Sequence, residues 1–113
     1  MKITRAISIR QPFVEQILQG KKKFEYRTIP TKIRERVYIY ASMKIREEDS
    51  LWKKAGKKKG DLPTGCIVGS VEIIDCEPHV TEGYQYKLKN PKRLRTLLKA
   101  KNQPAPVFWK PKF

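Results

Sequence analysis

From Cys66 to Cys76 the chain reads CIVGSVEIIDC, and no other stretch limits the fold as strongly. With the two-residue period of a strand, Ile67, Gly69, Val71 and Ile73 face one way, and Val68, Ser70, Glu72 and Ile74 the other. Both faces carry apolar side chains, so neither is left to water and the strand belongs in the middle of a sheet. Gly69 marks a bend or a close backbone approach. Leu62-Pro63-Thr64-Gly65 supplies the turn into this strand, and Glu77-Pro78-His79 ends it.

Shorter alternating stretches supply the neighbours. Ile3 to Arg10 reads as a half-buried strand with Arg5 a misfit at its frayed start. Gln11-Pro12 breaks it, and Pro12 suits the first position of a helix, where its missing N–H costs nothing. The helix has a stripe of Phe13, Val14, Ile17 and Leu18, and Gly20 provides its left-handed end. Further strands are predicted through Phe24 and Tyr26, from Val37 to Ser42, and from Tyr84 to Leu88, the last ending at Asn90-Pro91. Ile45 to Lys54 suits an exposed helix anchored by Leu51 and Trp52. Leu94, Leu97 and Leu98 fit helix and strand equally well. In the proline-broken tail, Phe108 and Trp109 are placed to close a barrel edge. The expected class is α+β: one domain over residues 1–113, a small β-barrel with flanking short helices.

Charge narrows the partners. Lysine and arginine total 26 against 11 acidic residues, a formal +15 that disfavours the compact state unless salt or a polyanion screens it. Nucleic acid is the commonest such polyanion; a basic, soluble exterior with no partner is the plain alternative. The lysines are spread over strands and loops, so no membrane surface is expected, and no apolar run is long enough to cross a bilayer. The opening Met1-Lys2-Ile3-Thr4-Arg5 shows no secretory leader, which places the protein in the cytoplasm. Cys66 and Cys76 read as buried free thiols too far apart along one strand to bond. One histidine, His79, and no close cysteine pair give no metal site, and no cofactor is expected. A monomer is expected.

Gly20-Lys21-Lys22-Lys23-Phe24-Glu25-Tyr26-Arg27 carries the densest chemistry. Phe24 and Tyr26 have the spacing to pack on one strand face, which sends Glu25 and Arg27 to the other. With Lys22 at the turn after Gly20, an ammonium, a carboxylate and a guanidinium converge. Such a cluster either holds a polar ligand or is a surface ion network.

Ala6-Ile7-Ser8-Ile9-Arg10-Gln11-Pro12-Phe13, then Ile17-Leu18-Gln19-Gly20, then Lys22, Glu25 and Arg27, resemble the ASCH domain. The family signature is a glycine, a lysine two on, a glutamate three later and an arginine two further. Leu62 to Glu72, Asn90-Pro91 and Phe108-Trp109-Lys110-Pro111 agree with it, so the resemblance covers nearly the whole chain. It implies a PUA-like β-barrel with a cleft beside the signature. It also implies binding of RNA, favoured over DNA, or a hydrolase acting on RNA or on acylated cytidine. Phe13 stands where relatives often carry tryptophan, and Glu25 where the small deacylating members carry threonine.

Each candidate has two readings. Lys22 is a nucleophile or phosphate contact if its pKa is lowered, and otherwise one solvated lysine of three. Glu25 accepts from a base edge or a ligand amine or acts as a general base, or else pairs with Arg27 or Lys22; Arg27 forks onto a phosphate, stacks on a base, or serves in that pair. Lys22 and Glu25 are the catalytic pair if the protein is an enzyme. Ser8 and Arg10 project together from the first strand, and the resemblance implies that they lie next to the signature; a Ser8 bond to backbone is the commoner role. Tyr38 and Tyr40 offer stacking faces or barrel packing. Lys57, Lys58, Lys59, Arg93 and Arg95 are candidate phosphate contacts that set affinity without reading sequence.

Overall fold

The computed structural model describes residues 2–113. Six strands and two helices follow one another as β1 (Ala6–Arg10), α1 (Phe13–Leu18), β2 (Phe24–Arg27), β3 (Arg36–Ser42), α2 (Asp49–Ala55), β4 (Cys66–His79), β5 (Gly83–Leu98) and β6 (Phe108–Trp109). The strands form one sheet in the order β2-β5-β4-β3-β1-β6. β1 and β3 are parallel; every other pairing is antiparallel.

β4 takes the interior place its two-sided apolar pattern requires, with Cys66 through Val71 all buried. The sheet curls. Tyr86 on β5 and Phe108 on β6 stack with centroids 6.0 Å apart, although three strands separate β5 from β6 in the sheet. Inside the curl lie Ile7, Ile9, Val14, Ile17, Val37 and Ile39 together with Tyr86. The opposite face carries a smaller cluster of Ala6, Tyr40, Ile67 and Trp109, with Tyr38, Leu94 and Leu98 against it.

α1 has six residues, too few to hold itself together, and is fixed from outside. The buried Gln11 accepts a hydrogen bond from Glu15 N–H at its amide oxygen and donates to the Pro63 carbonyl. Arg93 of β5 forks onto Glu15 with bonds of 2.9 and 3.0 Å. Burial alone would raise the Glu15 pKa, but the Arg93 guanidinium, the Gln19 amide and the charge of Lys57 together outweigh it and hold the carboxyl below its usual value.

Several boundaries differ from the sequence expectations. β1 begins at Ala6, not Ile3, because Arg5 turns aside to Glu35 at 2.9 Å; Met1, the start of the predicted opening stretch, lies outside the described residues. Pro12 occupies the cap position of α1, not its first turn. The second helix starts at Asp49, since Arg46 N–H is drawn back to the Gln11 carbonyl at 2.9 Å. β4 continues to His79, and β5 runs through Asn90-Pro91 to Leu98 because register shifts in its pairing with β4 absorb the proline. Leu94 and Leu98 are therefore extended. Both cysteines are free, Cys66 buried as expected and Cys76 only half-buried.

Gly69 is the tight point. A Cβ there would lie 2.5 Å from the Lys92 carbonyl oxygen and 2.7 Å from Leu18 Cδ2. Gly69→Ala is expected to lower stability by about 1–3 kcal/mol, read as a shift of the urea midpoint at unchanged slope.

Candidate functional site

The turn after α1 is built by backbone bonds. Gly20 takes φ 79°, a conformation open to glycine, and the amides of Lys21 and Lys22 both donate to the Gln16 carbonyl, at 2.9 and 3.1 Å. Lys21 Nζ donates to the Lys54 carbonyl at 2.8 Å, which ties the turn to the end of α2. The chain is thereby folded back so that Lys22 points over β2.

On β2 the predicted division of faces holds, but the buried face is the charged one. Glu25 is 6% exposed and Tyr26 39%. Glu25 Oε2 accepts from Arg27 Nε at 2.9 Å, and Lys22 Nζ lies 3.8 Å from Oε1. Arg27 also donates to the Ser8 carbonyl of β1. The ammonium, carboxylate and guanidinium therefore meet.

A cleft of about 370 Å³ opens beside them. Ser8 and Arg10 line it from β1, Glu25, Tyr26 and Arg27 from β2, Phe13 from α1, and Ser42, Arg46 and Pro106 complete the wall. Arg10 and Ser42 are register partners at the ends of the parallel strands β1 and β3, which is why both reach the same opening. Lys22 stands behind this wall. Its ammonium is 4.7 Å from the Phe13 centroid and 4.9 Å from that of Tyr26, so two aromatic rings hold it between them. Arg46 also lies over the Phe13 ring, 5.3 Å from the centroid, and pairs with Glu48. Burial pushes the Lys22 ammonium below the usual lysine range, Glu25 opposes the shift, and Lys54 and Arg27 add to it.

The other candidates lie elsewhere or are engaged. Ser8 Oγ donates to the Ala105 carbonyl at 3.2 Å and accepts from Trp109 Nε1 at 3.0 Å, pinning the tail. Tyr40 is buried edge-on to Trp109, and Tyr38 meets Phe113. Lys59 pairs with Asp49 at 3.0 Å, and Arg93 with Glu15. Lys57, Lys58 and Arg95 are exposed. Phe13, Tyr26, Ser42, Arg46 and Pro106 were not among the predicted site residues. For Phe13 and Tyr26 the available signal was an aromatic on either side of the Gly20 turn. Arg46 had none, because long-range bonds place it: its amide reaches Gln11 and its carbonyl accepts from Trp52 Nε1 at 2.8 Å.

A curled half-barrel of six strands carrying two short helices is a fold of the PUA-like type. The ASCH domain family matches residues 7–103, and the chain belongs to that family. Similar solved structures include ASCH from Zymomonas mobilis, with a TM-score of 0.64 at 16% identity, covering 94% of this chain and 85% of that one. A serine-to-alanine variant from the same organism gives 0.63 at 16%, covering 94% and 86%. The human protein Activating signal cointegrator 1 is 30% identical over 80 residues, which is 62% of this chain. The matched stretch spans 14% of that human protein's length. No helix among the described residues is long and apolar enough to cross a membrane.

Two outcomes follow from this geometry. Arg27→Ala leaves the Glu25 carboxylate buried with Lys22 alone and unlaces β2 from β1; a loss of about 2–4 kcal/mol in urea unfolding is expected, partly restored by adding Glu25→Gln. Peptide-resolved acylation across a pH series should place the Lys22 midpoint below the ordinary lysine range, with Glu25→Gln moving it lower still, since the carboxylate is what holds it up. Between the folded midpoint and the ordinary value the unfolded chain binds more protons, so this contribution to stability rises with pH across that window.

Proposed function

We propose that the chain is a nucleic-acid-binding module, with RNA favoured over DNA, that takes a nucleotide or base into the cleft beside Gly20, Lys22, Glu25 and Arg27. The make-up of that cleft carries the reading. A simple anion would have no use for the Glu25 carboxylate or the aromatic walls, and a plain apolar ligand would leave Arg10, which has no ion-pair partner among the described residues, unmet. A nucleotide meets both demands. The donor edge of a base suits Glu25, its face suits Tyr26 and Phe13, and its phosphate suits Arg10 and Arg46. Membership of the ASCH family supports the same choice through the RNA-related roles proposed for its members.

A second reading, a hydrolase acting on RNA or on acylated cytidine, draws on one feature. Lys22 has a lowered proton affinity and stands 3.8 Å from a carboxylate, a pairing suited to proton transfer. Its position between two rings, behind the cleft wall, favours holding Glu25 in place over reaching a substrate.

RNA affinity should fall steeply and linearly on logarithmic axes as salt is added, and Arg10→Ala should flatten that slope by roughly one unit. Tyr26→Ala should weaken binding by about 1–3 kcal/mol. A salt-independent or undetectable interaction with RNA would count against the module. Incubation with single-stranded RNA and with acylated cytidine is expected to leave both intact; product formed by the wild type and lost in Lys22→Ala would favour the hydrolase instead.

A further inference from the structure

The cleft does not stand alone. Phe13 and Tyr26 also wall a second hollow of about 420 Å³, whose other side is formed by Gln16, Lys21 and Lys54. Lys22 and Lys23 are shared between that hollow and a third, of about 310 Å³. The third has an apolar floor of Ile17, Val71 and Leu88 and is rimmed by Lys87 and Lys89. Shared walls make the three hollows neighbours in a row: arginines and a carboxylate first, then aromatic rings among lysines, then an apolar floor under lysines.

We infer that this row is a continuous track for single-stranded RNA, occupied by several nucleotides, of which the cleft holds only one. The inference rests on the nucleic-acid reading of the cleft.

Charge is the first support. Among the described residues no carboxylate pairs with Lys23, Lys87 or Lys89, while Glu15, Glu25, Glu35, Glu48, Asp49 and Glu72 are all held by other cations. Those three exposed lysines face the track with their charge unspent. Where acid does occur it marks an end: Asp75 and Glu77 share a separate small hollow with Lys87, so phosphates would turn from Lys87 toward Lys89.

Alternation of rings and cations is the second support. A single strand presents both phosphates and unstacked base faces, and the track offers a partner for each. A duplex keeps its bases stacked inside and would meet only the lysines. An acidic peptide would satisfy the lysines as well, but it has no use for Phe13 and Tyr26 beside the cleft.

The test uses the full chain and fluorescein-labelled oligouridylates of about two to twelve nucleotides, a range that brackets common single-strand site sizes. Affinity should climb with length and then level off. The triple variant Lys23→Glu, Lys87→Glu and Lys89→Glu should abolish the climb while keeping binding of the shortest probe. Its salt slope should fall by about two units, the share of three single-strand phosphate contacts. A matched triple reversal at Lys32, Lys110 and Lys112 should keep the length dependence. If the shortest probe binds but length adds nothing, or if both triple variants behave alike, the track is overturned and the cleft reading survives. An RNA duplex, or an acidic peptide, binding as tightly as the longest oligouridylate would also overturn it. No binding at any length would overturn the track and the cleft together.

Discussion

A carboxylate buried on an edge strand is costly, and here the relief comes from the same strand. Arg27 bonds Glu25 on β2 and extends to the Ser8 carbonyl on β1, near the other end of the sheet order. One guanidinium thus spans the mouth of the half-barrel. The apolar half of the closure lies in the adjoining row: Glu25 is in register with Tyr86, whose ring stacks on Phe108 of β6 and whose hydroxyl donates to the Ile29 carbonyl at 2.6 Å. Neither half suffices alone. Stacking without Arg27 would leave the acid unrelieved, and Arg27 without the stacked rings would face a mouth open to water.

The same economy governs charge across the molecule. Among the described residues five of the eight arginines are ion-paired, Arg5, Arg27, Arg36, Arg46 and Arg93, against two of the eighteen lysines. Planar forks serve as internal ties, because they meet a carboxylate through two bonds and a backbone carbonyl through a third. Arg36 ties three groups instead, donating to the Ser70 hydroxyl, one Glu72 carboxylate oxygen and the Asn90 carbonyl. Among the described residues five of the eleven acids are held by arginines, so the cations left over are mostly lysines and the field outside the protein is a lysine field. Such a field is long-ranged, tolerant of geometry and sensitive to salt.

What the sequence made legible was local. The two-sided pattern of β4, the close approach at Gly69 and the left-handed turn at Gly20 each follow from a few neighbouring residues. So does the meeting of Lys22, Glu25 and Arg27, because the six positions from Lys22 to Arg27 fix it. Alternation divides a strand into faces but does not say which is inward, and on β2 the ordinary preference for burying aromatics gave way to the closure that Arg27 makes. Arg93 and Arg95 looked alike in sequence and both are exposed; one is matched to Glu15 across the fold, the other has no ion-pair partner among the described residues, and no local feature separates them. Ser8 presents the same difficulty, its hydroxyl being used by Ala105 and Trp109 from the far end of the chain.

Lys22 shows how evenly the forces at the site are matched. Removal from water opposes its charge most strongly, and Lys54 and Arg27 oppose it further. Glu25 favours the charge, and each of the two rings contributes on the order of 0.5–2 kcal/mol in the same direction. The balance falls below the usual lysine range without expelling the ammonium from its place. A group so poised responds to whatever arrives beside it. A phosphate in the hollow that Lys22 walls would favour the ammonium and draw a proton toward it. A base donor taking up Glu25 would weaken the one carboxylate that supports it. Because the rings that grip Lys22 are also walls of the cleft, any ligand that entered the cleft would be coupled to the charge state of this lysine.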